Sequence, residues 1–281
     1  MSDKILITGA AGLIGKSLIK ILLDSGYSVV CFDLSEQFYR NIDFFRNVKN
    51  SGKMTVHSGS ILDNNAIRKA IQGVDVVVHL AAMLGVQKTE DDMLGCIEVN
   101  INGTNNVLNA AVFHNVKKFV LASSSEVYGE PDSNPIVESQ TTKGKTVYAV
   151  SKIAGEELVK GYNQQYSKLD YTIIRFFNTY GEGQIAQFVL TKWVKMVLEG
   201  KNPIVYGDGR QIRSYGHVDD ITKGIKKIIE NKISNGKVYN LGNSNQIRTL
   251  SELAQQVIDV LSPDKNLEVD VIGSFSGADR D

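Results

Sequence analysis

Cysteine is nearly absent from this chain of 281 residues, which holds only Cys31 and Cys96. That is too few for a disulfide framework or a thiolate cluster, and Cys31 falls in a run expected to be a buried strand, so reduced thiols are expected. Histidine is scarce as well, and none of His57, His79, His114 and His217 has a second ligand at metal spacing, so no metal is expected. An excess of charge is missing: Lys+Arg and Asp+Glu both number 31. With no basic run either, nothing in the chain argues for nucleic acid. No apolar stretch approaches the roughly eighteen residues of a membrane span. Met1-Ser-Asp-Lys leads straight into an apolar run without a leader pattern, so a cytoplasmic protein with no membrane partner is expected.

The N-terminal residues carry the first positive signal. Lys4-Ile-Leu-Ile is of strand length, three glycines spaced three apart follow at Gly9, Gly12 and Gly15, and Leu13 to Ser25 is amphipathic. This reads as strand, turn, helix. Gly9 permits a tight turn, Gly12 lets the backbone approach a pyrophosphate, and Gly15 lets the helix pack close to the strand, while the helix N-terminus offers unpaired N–H groups to the anion. A second run, Tyr27 to Asp33, ends in an acid about twenty residues after the glycines, where a carboxylate can accept both ribose hydroxyls. Asp33 argues for NAD, because it would repel a 2′-phosphate and the first arginine to follow, Arg40, is several residues on.

Tyr148 and Lys152 stand four apart in Tyr-Ala-Val-Ser-Lys. On a helix they share a face, so the ammonium is expected to lower a phenol pKa that is ordinarily about 10 and make Tyr148 a usable base. Alone the pair is a weak signal, and its weight comes from the dinucleotide turn in the same chain.

Apolar runs at 54–57, 74–80, 118–122 and 171–176 alternate with helical patterns near 64–72, 100–115, 149–167 and 185–199, which specifies a doubly wound parallel sheet. After Thr179 the pieces shorten: an apolar run at 203–206, a loop of Gly, Asp and Arg at 207–213, a helix near 218–230, a run at 237–241 and a helix at 249–261. They are expected to form a smaller lobe over the strand ends, where ligands bind in open α/β sheets. The expected division is 1–178 for the cofactor and 179–281 for the smaller lobe, interleaved with the first. No repeat or low-complexity tract interrupts the chain.

Several motifs in order resemble one family. They are Thr8 to Gly15, Asp33, His79-Leu-Ala-Ala82, Val99-Asn100, Leu121 to Gly129, Tyr148 to Lys152, Arg175 to Gly181, Gly207-Asp-Gly209, Arg213 and His217 to Asp220. The chain resembles, over essentially its whole length, an extended short-chain dehydrogenase/reductase of the nucleotide-sugar epimerase/dehydratase family. The resemblance implies a Rossmann sheet with a C-terminal substrate lobe, NAD as cofactor and a nucleotide-diphosphate sugar as substrate. For the cofactor it points to Gly9, Gly12, Leu13, Ile14, Gly15, Asp33, Ser60, Ile61, Leu80, Ala81, Ala82 and Asn100, besides Tyr148 and Lys152. Ser60 stands where relatives usually place an Asp beside the adenine. Relatives generally run some tens of residues further, so the final substrate-side elements are expected to be absent and the smaller lobe truncated.

In the implied mechanism Tyr148 takes a sugar hydroxyl proton, Lys152 holds the phenolate and a ribose hydroxyl, and Ser124 hydrogen-bonds the developing carbonyl. Ser123 and Ser125 are the neighbouring candidates, with Ser125 also a substrate contact. Asn178, Arg213 and Arg280 resemble the family's diphosphate ligands, an arginine fork suiting two oxygens. Glu126 divides the reactions. Ser-Ser-Glu resembles the Thr-Ser-Glu of uronate decarboxylases and lacks the Asp-Glu pair of hexose 4,6-dehydratases, yet many epimerases carry it too. Epimerisation through a 4-keto sugar is the leading expectation, beside dehydration, decarboxylation, net oxidation of a nucleotide sugar or amino-alcohol, and a non-catalytic NAD sensor. A homodimer is expected through the helices near 100–115 and 149–167, with Val107, Leu108, Ala111, Ile153 and Leu158 as its apolar residues.

Overall fold

The computed structural model describes residues 3–48, 52–186, 188–245, 247–264 and 266–273. Its strands are β1 (Lys4–Thr8), β2 (Ser28–Asp33), β3 (Met54–Ser58), β4 (Val76–His79), β5 (Lys118–Ser124), β6 (Asp170–Phe176), β7 (Asn178–Tyr180), β8 (Ile204–Tyr206), β9 (Ile212–His217), β10 (Lys237–Leu241), β11 (Ile247–Thr249) and β12 (Asp270–Ile272). The helices are α1 (Leu13–Asp24), α2 (Ser35–Arg40), α3 (Ile42–Val48), α4 (Asn64–Ala70), α5 (Val86–Asp91), α6 (Met93–Ile97), α7 (Thr104–Phe113), α8 (Val147–Gln165), α9 (Val189–Leu198), α10 (Val218–Glu230) and α11 (Leu250–Leu261). The chain divides into two compact units, Met1–Phe176 with Val218–Leu241, and Phe177–His217 with Gly242–Asp281.

The first unit is built on a seven-stranded parallel sheet in the order β10-β6-β5-β4-β1-β2-β3. Strands covered by helices on both faces read as continuous apolar runs, and the side-chain period of two sends alternate residues to opposite layers. Ile5, Ile7, Val29, Cys31, Val76 and Val78 meet α1 and α10 through Leu18, Ile19, Leu22, Ile221 and Ile225. Leu6, Val30, Phe32 and Val77 meet α4 and α7 through Ile67, Val107, Leu108 and Ala111. Those last three, expected at a dimer interface, are fully buried within their own chain and cover the sheet.

Three further departures from the sequence reading have local causes. Residues 218–230 and 237–241, expected among the pieces of the smaller lobe, belong to the first unit. The apolar stripe of α10 packs on α1, and β10 pairs with β6 in parallel. The helix expected at 100–115 begins as a π-helical turn at Glu98–Gly103, and only then becomes α7. The loop expected at 207–213 runs into β9 at Ile212.

In the second unit, β11, β9 and β7 form one small sheet and β12 pairs with β8. Trp193 and Val197 of α9 pack with Ala254 and Ile258 of α11 and with Val205 of β8. The buried indole N–H of Trp193 finds the Ile204 carbonyl at 2.7 Å. No helix among the described residues is long and apolar enough to cross a membrane.

Candidate active site

The winding of the large sheet reverses between β1 and β4, and at such a switch point the strand ends leave a crevice. Gly9 leaves β1 with φ +70°, and a Cβ there would sit 2.8 Å from the Ala81 nitrogen, so the turn lies against the backbone that follows β4. At Gly15 a Cβ would come within 2.5 Å of the Gly9 carbonyl oxygen, which seats α1 directly on the turn. Gly12 differs: its Cβ would meet only the Gly9 oxygen, at 3.2 Å, so the backbone there is open to a ligand. It caps α1 without a side-chain hydrogen bond, and no acid stands in the first turn. Leu13 and Ile14 open the helix, leaving its positive end for an anion.

At the end of β2 the Asp33 carboxylate accepts N–H bonds from Ala11 at 2.9 Å and Leu34 at 2.8 Å. Burial pushes its pKa up, against those two bonds. Arg40 is engaged by Glu36 one helical turn away. Beyond β3 the Ser60 hydroxyl accepts from the Leu62 N–H at 3.1 Å, and Ile61 is a buried side chain packed on Gly103. An open helix end and a half-buried carboxylate oriented beside the turn fit the pyrophosphate and ribose of a dinucleotide.

Behind the turn runs a buried polar chain. Thr104 donates to the Asn100 carbonyl at 2.6 Å, so it accepts from Nε2–H of His79 at 3.0 Å. Nδ1 of His79 is then the acceptor of the Thr8 hydroxyl at 2.7 Å, and Thr8 in turn accepts from the Ala81 N–H at 3.2 Å. Burial, helped by the Lys152 charge, pushes the His79 pKa down to about 3, so the ring is neutral. Asn100 donates to the Met83 carbonyl and to Ser151 Oγ, both at 3.0 Å, and accepts from the Met83 N–H at 2.8 Å. Its amide, expected at the cofactor, is committed to the chain's own groups, because the π-helical turn aims it inward. Ser151 closes the chain by donating to the Tyr148 carbonyl at 2.7 Å.

The three serines at the end of β5 are separated by their partners. Ser123 donates to Glu156 at 2.5 Å, whereas Ser124 accepts from the Glu126 N–H at 3.2 Å and lies beside the Tyr148 phenol. Ser125 begins the short 3₁₀ turn, where Glu126 is exposed. Lys152 is buried in α8, its Nζ 5.7 Å from the Tyr148 ring centroid and donating to the Ala122 carbonyl at 2.8 Å. The expected fall in the Tyr148 pKa does not occur in the protein alone. Burial pushes the phenol up to about 12, with Ser124 opposing and Glu126 and Cys96 adding to the rise. The same burial pushes Lys152 down to about 8. Desolvation disfavours both charged forms, so a phenolate here needs a further positive charge beside it.

The other expected residues lie in the second unit. Asn178 starts β7 opposite Tyr215 of β9, and Arg213 lies two residues along β9 on the same face. Arg248 of β11 stands directly opposite Arg213. Tyr215 and Arg248 escaped the sequence reading, although alternation along β9 would have put Tyr215 beside Arg213. Arg280 lies outside the described residues. His217 makes an edge contact with Tyr180, and among the described residues no group of His, Cys, Asp and Glu could hold a metal.

The model of the NAD dependent epimerase/dehydratase family matches residues 5–242. Over 266 residues the chain is 34% identical to the UDP-N-acetyl-alpha-D-glucosaminuronate decarboxylase of Bacillus cytotoxicus, spanning 92% of this chain and 80% of that one. Among solved structures it resembles the dTDP-glucose 4,6-dehydratase DesIV of Streptomyces venezuelae, which holds NAD, at a TM-score of 0.88 and 29% identity, covering 98% of this chain and 86% of that one. It also resembles the UDP-glucuronic acid 4-epimerase of Bacillus cereus in complex with UDP-glucuronic acid and NAD, at a TM-score of 0.87 and 28% identity, covering 96% and 86%.

Proposed function

Because the chain belongs to the NAD dependent epimerase/dehydratase family, we propose that it is a nucleotide-sugar 4-epimerase working through a transient 4-keto sugar. The observation that carries this reading is the grouping of Ser124, Tyr148 and Lys152, with Ser124 beside the phenol and opposing the rise in its pKa and the Lys152 Nζ 5.7 Å from its ring centroid. Tyr148 takes the proton of the C4 hydroxyl, Ser124 holds the oxygen as its C–O bond becomes a carbonyl, and Lys152 supports the phenolate. NAD, when bound, supplies the hydride acceptor and the positive charge that the buried phenol lacks. Gly9, Gly12 and Gly15 with the N-terminus of α1 hold its pyrophosphate, and Asp33 its ribose hydroxyls. Flat at C4, the 4-keto sugar can turn before the reverse step, in which C4 takes back the hydride on its other face, Tyr148 returns the proton to the oxygen and the centre is inverted.

The second unit is proposed as the nucleotide-sugar lobe, with Asn178 and Arg213 on the diphosphate. Arg248 opposite Arg213 in register supports this, since it puts two cationic side chains on one face of the small sheet, where a diphosphate would be attracted. A cytoplasmic homodimer is also proposed, its contact carried by the exposed Met93, Leu94, Ile97 and Val150.

Decarboxylation is the second reading, favoured by Glu126 beside Tyr148 and by the likeness to the Bacillus cytotoxicus enzyme. Oxidation at C4 of a uronate makes a β-keto acid, which loses its carboxyl group without a second acid. Dehydration is less well served, because the residue next to Glu126 is Ser125. Incubation with UDP-, GDP-, CDP- and dTDP-sugars and uronates, read by mass spectrometry and NMR, tests all three. Unchanged mass with inverted C4 is expected, whereas loss of carbon dioxide, loss of water or accumulating NADH would replace epimerisation with one of its rivals.

A further inference from the structure

A buried ion pair joins the strand end carrying Ser124 to the helix carrying Tyr148 and Lys152. Glu156 lies one turn beyond Lys152 in α8 and is 2% exposed; Arg175 in β6, opposite Ser123 in register, is 5% exposed. The guanidinium is forked on the carboxylate, Nε to Oε1 at 2.9 Å and Nη2 to Oε2 at 2.8 Å, and Ser123 donates to the same Oε1. From Nη1 the arginine also donates to the Tyr128 hydroxyl at 2.9 Å and to the Glu138 carbonyl at 3.1 Å. The Tyr128 hydroxyl donates to Asn240 Oδ1 at 2.6 Å, and the Asn240 N–H donates to the Glu138 carboxylate at 2.8 Å. The network thus gathers β5, β6, β10, α8 and the segment that leads into Tyr148.

Stability alone is a weak reason for such a pair, because well-packed apolar side chains in its place commonly do as well. Its position is more informative. Lys152 faces the Tyr148 ring and Glu156 on its own helix, Cys96 on α6 and His79 on β4. Burial pushes the Cys96 thiol up and holds His79 neutral. Cys96 and, after it, Glu156 oppose the burial that would strip Lys152 of its proton, and of the two Glu156 is the carboxylate, one helical turn away and fixed by Arg175.

We propose that Glu156 is a positioning residue for the catalytic pair: gripped by Arg175, it fixes α8 against the Ser124-bearing end of β5 and keeps the Lys152 ammonium charged beside Tyr148. This rests on the reading of Tyr148 as base and Lys152 as its support.

The test reads Lys152 directly. In protein labelled with carbon-13 at the lysine Cε, the Lys152 signal is identified by its loss in Lys152→Met and titrated with pH. Glu156→Gln should lower the titration midpoint by about one pH unit and reduce turnover about 10–100-fold through misplacement of the pair, with NAD affinity by calorimetry within about twofold of wild type. Glu156→Asp should restore the midpoint but not the full rate, since the charge returns while the fork is shortened. Glu156→Gln leaves Arg175 buried without a partner, so Glu156→Gln/Arg175→Met, which removes both charges, carries the test if the single variant does not fold. A folded variant lacking the Glu156 charge with an unchanged lysine midpoint, or a double variant with wild-type turnover, overturns the proposal. A wild-type protein that turns over no nucleotide sugar would overturn the functional reading instead, and the lysine titration would still report the Glu156–Lys152 coupling.

Discussion

Acid should unfold this protein partly through one histidine. His79 is fully enclosed, with its pKa pushed from an ordinary 6.5 down to about 3. For a group whose folded pKa is depressed, the unfolded chain gains the proton first. The stability that neutral His79 sustains is therefore whole above pH 6.5 and drains away as the pH falls towards 3. Between pH 7 and pH 4 the unfolded chain takes up its proton while the folded one does not. At about 1.4 kcal/mol per pH unit below 6.5, this single site costs about 3 kcal/mol by pH 4, a sizeable part of a typical 5–15 kcal/mol. His79→Phe removes the titration. It also takes one partner from each of Thr8 and Thr104, yet Thr8 keeps the Ala81 N–H and Thr104 the Asn100 carbonyl, so the variant should fold with a loss of about 1–3 kcal/mol at pH 7. Urea unfolding of both proteins at pH 7, 5.5 and 4 gives the difference between them at each pH, in which every other titrating group cancels. That difference should shrink by about 3 kcal/mol on acidification, and could change sign. A difference that stays constant from pH 7 to pH 4 refutes the buried, neutral imidazole.

Other perturbations have equally direct readouts. Tyr148→Phe keeps the ring and removes the proton acceptor, so turnover should fall by about 10²–10⁴ while calorimetry finds NAD affinity unchanged; retained turnover would remove Tyr148 from the mechanism. Gly15→Ala forces a methyl to within 2.5 Å of the Gly9 oxygen and 2.7 Å of the Ala10 oxygen, both backbone atoms that cannot step aside. It should cost about 1–3 kcal/mol in denaturant unfolding and weaken NAD binding together with it. Asp33 should favour NAD over NADP by about 1–2 kcal/mol, and Asp33→Ala should narrow the gap; equal affinities in the wild type would withdraw the argument from the carboxylate. Leu94 is 80% exposed, and Leu94→Asp should convert a sedimenting dimer to a monomer, an outcome that a monomeric wild type would pre-empt.

The glycine turn, Asp33 and the Tyr148–Lys152 spacing were legible in the sequence because each is a local device. A left-handed φ at Gly9, a close approach at Gly15 and four residues of helix are fixed by neighbours along the chain. The large sheet was legible for the same reason, since its buried strands are unbroken apolar runs. What stayed hidden depends on partners far along the chain. The α10 helix carries a strong apolar stripe, but nothing in residues 218–230 says that α1, some two hundred residues earlier, receives it. Val107, Leu108 and Ala111 look the same in sequence whether they meet a second subunit or their own sheet, and the sheet has them.

The protonation of Tyr148 shows where reading by spacing ends. A lysine four residues away predicts a lowered phenol pKa only if solvent still serves both groups. Enclosing both costs the phenolate more than the lysine returns, because Lys152 turns its Nζ to the Ala122 carbonyl and is itself pushed towards neutrality. Two further charges bear on the pair that spacing does not weigh. One is the positive charge that NAD supplies when it is bound. The other is the carboxylate of Glu156, which counts for Lys152 because Arg175, nineteen residues further along, holds it in place. If Tyr148 is the base proposed above, its phenol, held up at about 12 in the protein alone, becomes usable only with the cofactor's charge beside it.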